Sequence, residues 1–148
     1  SRLAYVTVMG AGRIAVIDLA TATEIDSIEA GISPRHALLS PDGRYMYVSN
    51  NLQDGIRKID LTGESPQVFI RTGERPRSMA LSEDGLSLYV VHYVSGGMIK
   101  VATADMRIVQ RVSAGSGPVG ITYEPNTARI WVADYRGVLW VFDDRIPD

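Results

Sequence analysis

The stretch GISPRHALLSPDGRYMYVSN, residues 31–50, decides the fold because it returns. It recurs 42 residues on as GERPRSMALSEDGLSLYVVH, 73–92, and again as GSGPVGITYEPNTARIWVAD, 115–134. Three copies of Gly-x-x-Pro hold the same spacing: Gly31 to Pro34, Gly73 to Pro76 and Gly115 to Pro118. Tyr5-Val6, Tyr47-Val48, Tyr89-Val90 and Trp131-Val132 extend the period back to the start of the chain. Ile17-Asp18 and Ile59-Asp60 are followed at the same interval by Val101-Ala102. The fourth partner, Phe142-Asp143, comes one residue early, which places a deletion in the loop at 134–137. Repeats of 40–50 residues are the mark of stacked architectures, in which one unit cannot bury its apolar surface alone.

Within one unit the pattern reads as four short strands. Arg35–Ser40 is a small, mostly apolar run. Pro41-Asp42-Gly43 is a turn: Pro presets φ, Asp bonds the backbone ahead and Gly accepts φ > 0. Tyr45–Ser49 follows, rich in aromatic and β-branched residues. Gly55 introduces Ile56–Asp60, and a more polar strand, Gln67–Arg71, closes the unit. Pro66 suits an edge, since proline cannot donate to a ladder. These positions are designated A, B, C and D. Asp18–Ala30 alone has helix-forming Ala and Glu, but its counterparts contain Gly63, Pro66 and β-branched residues, so strand is expected there too. Four strands per 42 residues give an all-β fold of β-propeller blades. The chain, 1–148, contains about three and a half of them, with units near 1–31, 32–73, 74–115 and 116–148.

Tyr5-Val6-Thr7, Ile14–Asp18, Gly31-x-x-Pro34 and Ser40-Pro41-Asp42-Gly43 resemble the YVTN-type β-propeller repeat family. The family pattern weakens at Val8, where Asn is usual, and at Ala102, where Asp is usual. The resemblance implies a central channel lined by strand A and a periplasmic, extracellular or cell-surface bacterial protein. It also implies a closed ring longer than this chain. The missing blades are expected from the same longer chain or from another copy.

Composition narrows the function classes. Fifteen basic residues, all Arg except Lys58 and Lys100, oppose seventeen acids, for a net charge of −2. No global field favours nucleic acid or anionic membranes. There is no cysteine, hence no disulfide or thiolate metal site, and no apolar run long enough for a membrane-spanning helix. No nucleophile elbow or phosphate-binding loop occurs, and the two histidines, His36 and His92, lack a metal-binding spacing. Neither catalytic residues nor a metal or cofactor is indicated by motif.

The meander places D–A and B–C loops on one face. Arg35, His36, Arg75 and Arg77 reach it from the first set; His92, Tyr93, Asp134 and Tyr135 reach it from the second. Guanidinium groups suit carboxylate or phosphate, so an anion-recognising channel mouth stands against solvated Arg paired with Glu74 or Asp54. Asn50 and Asp134 end strand B and suit Asx-turns. His92, in the same column, is a replaced turn residue or a titrating ligand on the face. His36 is a bonded inner-strand residue or an axial ligand or proton carrier. Tyr93 and Tyr135 stack on a ligand or cover a loop. The expected function is a non-enzymatic binding scaffold for a protein or small anionic ligand. The alternatives are a lactonase-like or haem- or quinone-bearing propeller enzyme subunit, which the resemblance implies, and single-stranded nucleic acid at the Arg and Tyr mouth, which the net charge disfavours.

Open blade faces and strand edges recruit partners. The isolated 148-residue chain is therefore expected to associate or to be partly unfolded, which sedimentation at micromolar concentration checks. A compact, cooperatively folding monomer contradicts it.

Overall fold

The computed structural model describes residues 2–145. Fourteen strands form four antiparallel sheets in chain order. The first sheet is β1 (Leu3–Val8), β2 (Arg13–Asp18) and β3 (Thr23–Glu29). Next come β4 (Pro34–Leu39), β5 (Tyr45–Asn50), β6 (Gly55–Asp60) and β7 (Val68–Arg71). The third sheet is β8 (Pro76–Leu81), β9 (Ser87–His92), β10 (Gly97–Ala102) and β11 (Arg107–Ser113). The last holds β12 (Pro118–Glu124), β13 (Arg129–Asp134) and β14 (Leu139–Asp143). The strand sequence is thus B-C-D, A-B-C-D, A-B-C-D, A-B-C, as the repeat requires. The stretch 18–30 contains β3 and no helix. Among the described residues the helical segments are two single turns, Met9–Ala11 and Asn51–Gln53.

The register shows why the period is 42. Val6, Val48 and Val90 face Ala15, Arg57 and Ile99 across the B–C ladder, each pair 42 residues after the last. Val132 faces Trp140, one residue short, so the deletion shortens the turn and leaves the ladder intact. The A–B turns hold through side chains. Ser40 and Ser82 hydroxyls donate to Asp42 and Asp84, whose carboxylates also accept from the Arg44 and Leu86 amides.

Each core lies between two sheets rather than within one. Ile14, Met46, Val48 and Ile59 close the first interface. Tyr47, Ile56, Met79, Leu88 and Val90 close the second, and Tyr89, Val91, Met98, Ile130 and Val132 the third. Tyr47 and Tyr89 are 2% and 1% exposed, and Tyr89 stacks on Tyr123 with centroids 5.9 Å apart. A lysine on strand C ties each later interface: Lys58 Nζ donates to the Thr103 carbonyl at 2.7 Å, and Lys100 Nζ pairs with Asp144 at 2.6 Å. The outer faces of the terminal sheets are uncovered among the described residues. Val6 is 48% exposed where Val48, Val90 and Val132 are fully buried.

The hydroxyl of a buried Tyr usually finds a partner, yet among the described residues none stands at full hydrogen-bonding geometry to Tyr89 Oη. Burial, and then the Asp144 carboxylate nearby, push the phenol's pKa up. That carboxylate is engaged by Lys100. Tyr89→Ala should therefore cost about 3–5 kcal/mol through lost packing, whereas Tyr89→Phe should stay within about 1 kcal/mol, because no bond is lost. Urea denaturation of both variants checks the pair; a Phe variant as damaged as the Ala variant contradicts the orphaned hydroxyl.

Candidate functional site

The D–A and B–C loops lace together on one face through a repeating set of backbone bonds. Ala30, Thr72 and Ala114 amides donate to the Gly12, Asp54 and Gly96 carbonyls. Asn51, Tyr93 and Tyr135 amides donate to the Ser33, Arg75 and Gly117 carbonyls. This lacing fixes where each strand A begins. The A strands β4, β8 and β12 then pack on one another and form the inner edge of the arc. Hydroxyls stitch that edge: Thr7 Oγ1 donates to the Arg35 carbonyl, Ser49 Oγ to Arg77 and Ser78 Oγ to Val119.

Each strand A opens with a bulge directly after its proline. In β4 the ladder passes from Pro34–Asn50 to His36–Ser49 and skips Arg35. In β8 it skips Arg77 and Ser78, and in β12 it skips Val119. Residues left out of a ladder at a bulge are re-aimed out of the pleat. The bulge thus frees two guanidiniums, on adjacent inner strands, from sheet register. Both side chains are half-buried. Among the described residues neither makes an ion pair. Burial, and then the charge of Arg77, lower the pKa of Arg35, so the two cations feel each other. Arg77 Cζ lies 5.2 Å from the centroid of Tyr93, a cation–π distance. Tyr93 meets Tyr135 edge to face at 6.4 Å, and Tyr135 is 75% exposed. Arg75, in the left-handed conformation at φ 56°, turns outward toward Asn51 Oδ1 at 3.4 Å.

The structure buries two of the eight sequence candidates. His92 is 1% exposed, bonded through Nε2 to Thr72 Oγ1 at 2.9 Å, and is no surface ligand. Asp134 is buried too; its oxygens accept from the Ser116 and Arg136 amides at 2.8 and 2.7 Å, the Asx role. Asn50 holds the equivalent place and donates to the Ala30 and Ile32 carbonyls. His36 lies on the inner edge, half-buried, with Nδ1 accepting from the Met79 amide at 3.0 Å. An amide can only donate, so the neutral ring carries its proton on Nε2 and has no lone pair free for a metal. Burial lowers its pKa and favours that neutral form. Arg35, Arg77, Tyr93 and Tyr135 stay together on this face as the candidate mouth, with Arg75 beside them and His36 on the inner edge. The stitching role of Ser49 and Ser78 escaped the sequence reading, because a serine in a strand carries no signal of its own.

The described residues offer no group of three His, Cys, Asp or Glu side chains suited to a metal ion. Arg35 and Arg77 with Tyr93 and Tyr135 fit the periphery of a large anionic planar group, with guanidinium for carboxylate and Tyr for a π-face.

Comparisons with known proteins complete the site. Among curated proteins none matches the chain. Two solved structures are similar in fold. One is Kuenenia stuttgartiensis hydrazine synthase, with TM-score 0.84 and 18% identity over 94% of this chain and 42% of that one. The other is dihydro-heme d1 dehydrogenase NirN in complex with DHE, with TM-score 0.80 and 21% identity over 99% of this chain and 33% of that one. The chain thus spans less than half the length of either. The resemblance to propellers stands at the level of the fold, while the family model that matches is a different one from the YVTN repeat. That model, the cytochrome D1 heme domain, matches residues 1–144, and the chain belongs to this family.

Proposed function

We propose that this chain is part of a propeller that binds a haem-type tetrapyrrole, with Arg35 and Arg77 holding carboxylates on the macrocycle's edge. This reading follows the cofactor-bearing alternative rather than the plain scaffold. The observation that carries it is the two half-buried guanidiniums, without an ion pair among the described residues, freed by two successive bulges. A carboxylate between them would relieve their mutual repulsion and supply charge-assisted bonds. Tyr93 packs its ring against Arg77, and exposed Tyr135 offers a flat surface at the mouth. Membership in a heme-domain family and likeness to a protein solved with a bound ligand, DHE, support the same group.

An iron tetrapyrrole, once bound, supplies redox chemistry and ligand exchange at its metal. The residues of this chain orient it. His36 presents its Nε2–H on the inner edge as a hydrogen-bond donor, with the ring held by Met79. Thr7 and Ser49 hold the carbonyls of Arg35 and Arg77, so the guanidiniums start from a set position. Preorganisation of this kind lowers the cost of binding.

Iron-free porphyrins separate the edge from the metal. In the full-length protein, coproporphyrin, rich in carboxylates, should bind more tightly than mesoporphyrin, which has fewer. Arg35→Ala and Arg77→Ala should each weaken coproporphyrin binding about 10–100-fold, the value of a charged hydrogen bond. Absorbance titration measures this; equal affinity for the wild type and both variants contradicts the reading.

A further inference from the structure

The last residue of strand B occupies one structural column: Asn50, His92 and Asp134. Each bonds the D–A loop that leads into its own sheet, through the Ala30 and Ile32 carbonyls, Thr72 Oγ1 and the Ser116 amide respectively. Only at His92 is the clamp titratable within the neutral range of an ordinary imidazole.

The loop that His92 clamps, 72–77, delivers Arg77 to the mouth. It is held from several sides. Asp54 accepts from the Thr72 amide through its carbonyl and from the Arg75 amide through its carboxylate. Arg111 Nη1 donates to the Thr72 carbonyl at 2.8 Å, and Asn51 Nδ2 donates to the Pro76 carbonyl at 3.2 Å. Gly73, at φ 143°, lies so close that a Cβ there would sit 3.2 Å from His92 Cδ2. The next residue along the strand, Tyr93, donates its amide to the Arg75 carbonyl and places its ring against Arg77. His92 is therefore joined to both supports of Arg77, the loop through Thr72 and the aromatic brace through Tyr93.

We propose that His92 is a positioning residue for the channel mouth: by clamping Thr72 it holds the 72–77 loop, and with it Arg77 and Tyr93, closed at neutral pH and lets the loop open in acid. The inference rests on the mouth being the binding site.

The charges around the ring set the sign. Arg111, on β11, disfavours a second cation; Asp54, in the turn between β5 and β6, favours it; the Gly97 backbone of β10 favours it as well. Burial, the largest influence, acts with Arg111 to outweigh Gly97 and Asp54 and lowers the pKa to about 4. A ring exposed by loop opening returns toward about 6.5. The open form then binds more protons than the closed form between these two values. Closure is complete above the higher value and is lost as pH falls toward the lower one, with loop opening rising roughly twentyfold between about pH 7 and about pH 5.

Hydrogen exchange of the Thr72 and Arg75 amides in the full-length protein reads the opening, corrected for intrinsic rates. The wild type should show the roughly twentyfold rise. H92N, which installs the residue found at Asn50, should keep the loop protected at neutral pH and abolish the rise. H92A should open the loop at neutral pH and weaken coproporphyrin binding, with H92N restoring both. An equal pH response in the wild type and H92N overturns the proposal, as does a loop that stays protected in H92A. If the wild type binds no porphyrin, the binding reading falls, while the exchange data still decide whether His92 clamps the loop.

Discussion

Face-to-face contact between neighbouring sheets is the constraint from which the rest of this molecule follows. A four-stranded sheet has two faces, and a blade must cover both. Tyr47 and Tyr89 lie on one face of their sheets, and Met46, Val48, Leu88 and Val90 on the other, all essentially buried. Burial of a large apolar side chain is worth about 1.5–3 kcal/mol, and each interface gathers several. A sheet so placed contributes to its neighbours' stability as much as to its own. The same contact dictates the side chains that cross it, from the lysines on strand C to the hydroxyls along the inner edge.

The loop face inherits its order from this stacking. Because the sheets are locked at a common spacing, the lacing bonds of the D–A and B–C loops recur with the period of the sequence. The column of strand-ending residues shows how chemistry is varied within that order. Asn50 donates to carbonyls, Asp134 accepts from amides, and His92 meets a hydroxyl. Three different polar groups thus solve one local problem, that of tying a loop to the end of a buried strand, although Asn50 Oδ1 has no partner of its own among the described residues.

The repeat was legible in the sequence because its markers are local. Gly-x-x-Pro, the Asp-Gly turn and the Tyr-Val pair each act within a few residues, and their spacing alone ordered fourteen strands. Arg35 and Arg77 were legible as candidates for the same reason, standing next to a proline that marks a strand's start. The bulge that frees them was not, since it is a property of register between two strands. Nor was the burial of His92 and Asp134, which depends on a neighbouring loop folding over them. The haem-type assignment could not come from motifs at all: neither histidine stands in a spacing that signals a ligand, and His36 owes its fixed tautomer to an amide on the next sheet.

The bulges at the head of each strand A carry a consequence for how such a protein diversifies. The residue after the proline is outside the ladder, so its identity is decoupled from sheet pairing. Here the three positions hold Arg35, Arg77 and Val119, two charged and one apolar, on the same backbone course. Each position behaves as an interchangeable socket in a fixed frame. A set of such sockets can be rewritten one at a time, which gives the scaffold a combinatorial vocabulary for ligands while the folding code stays the same.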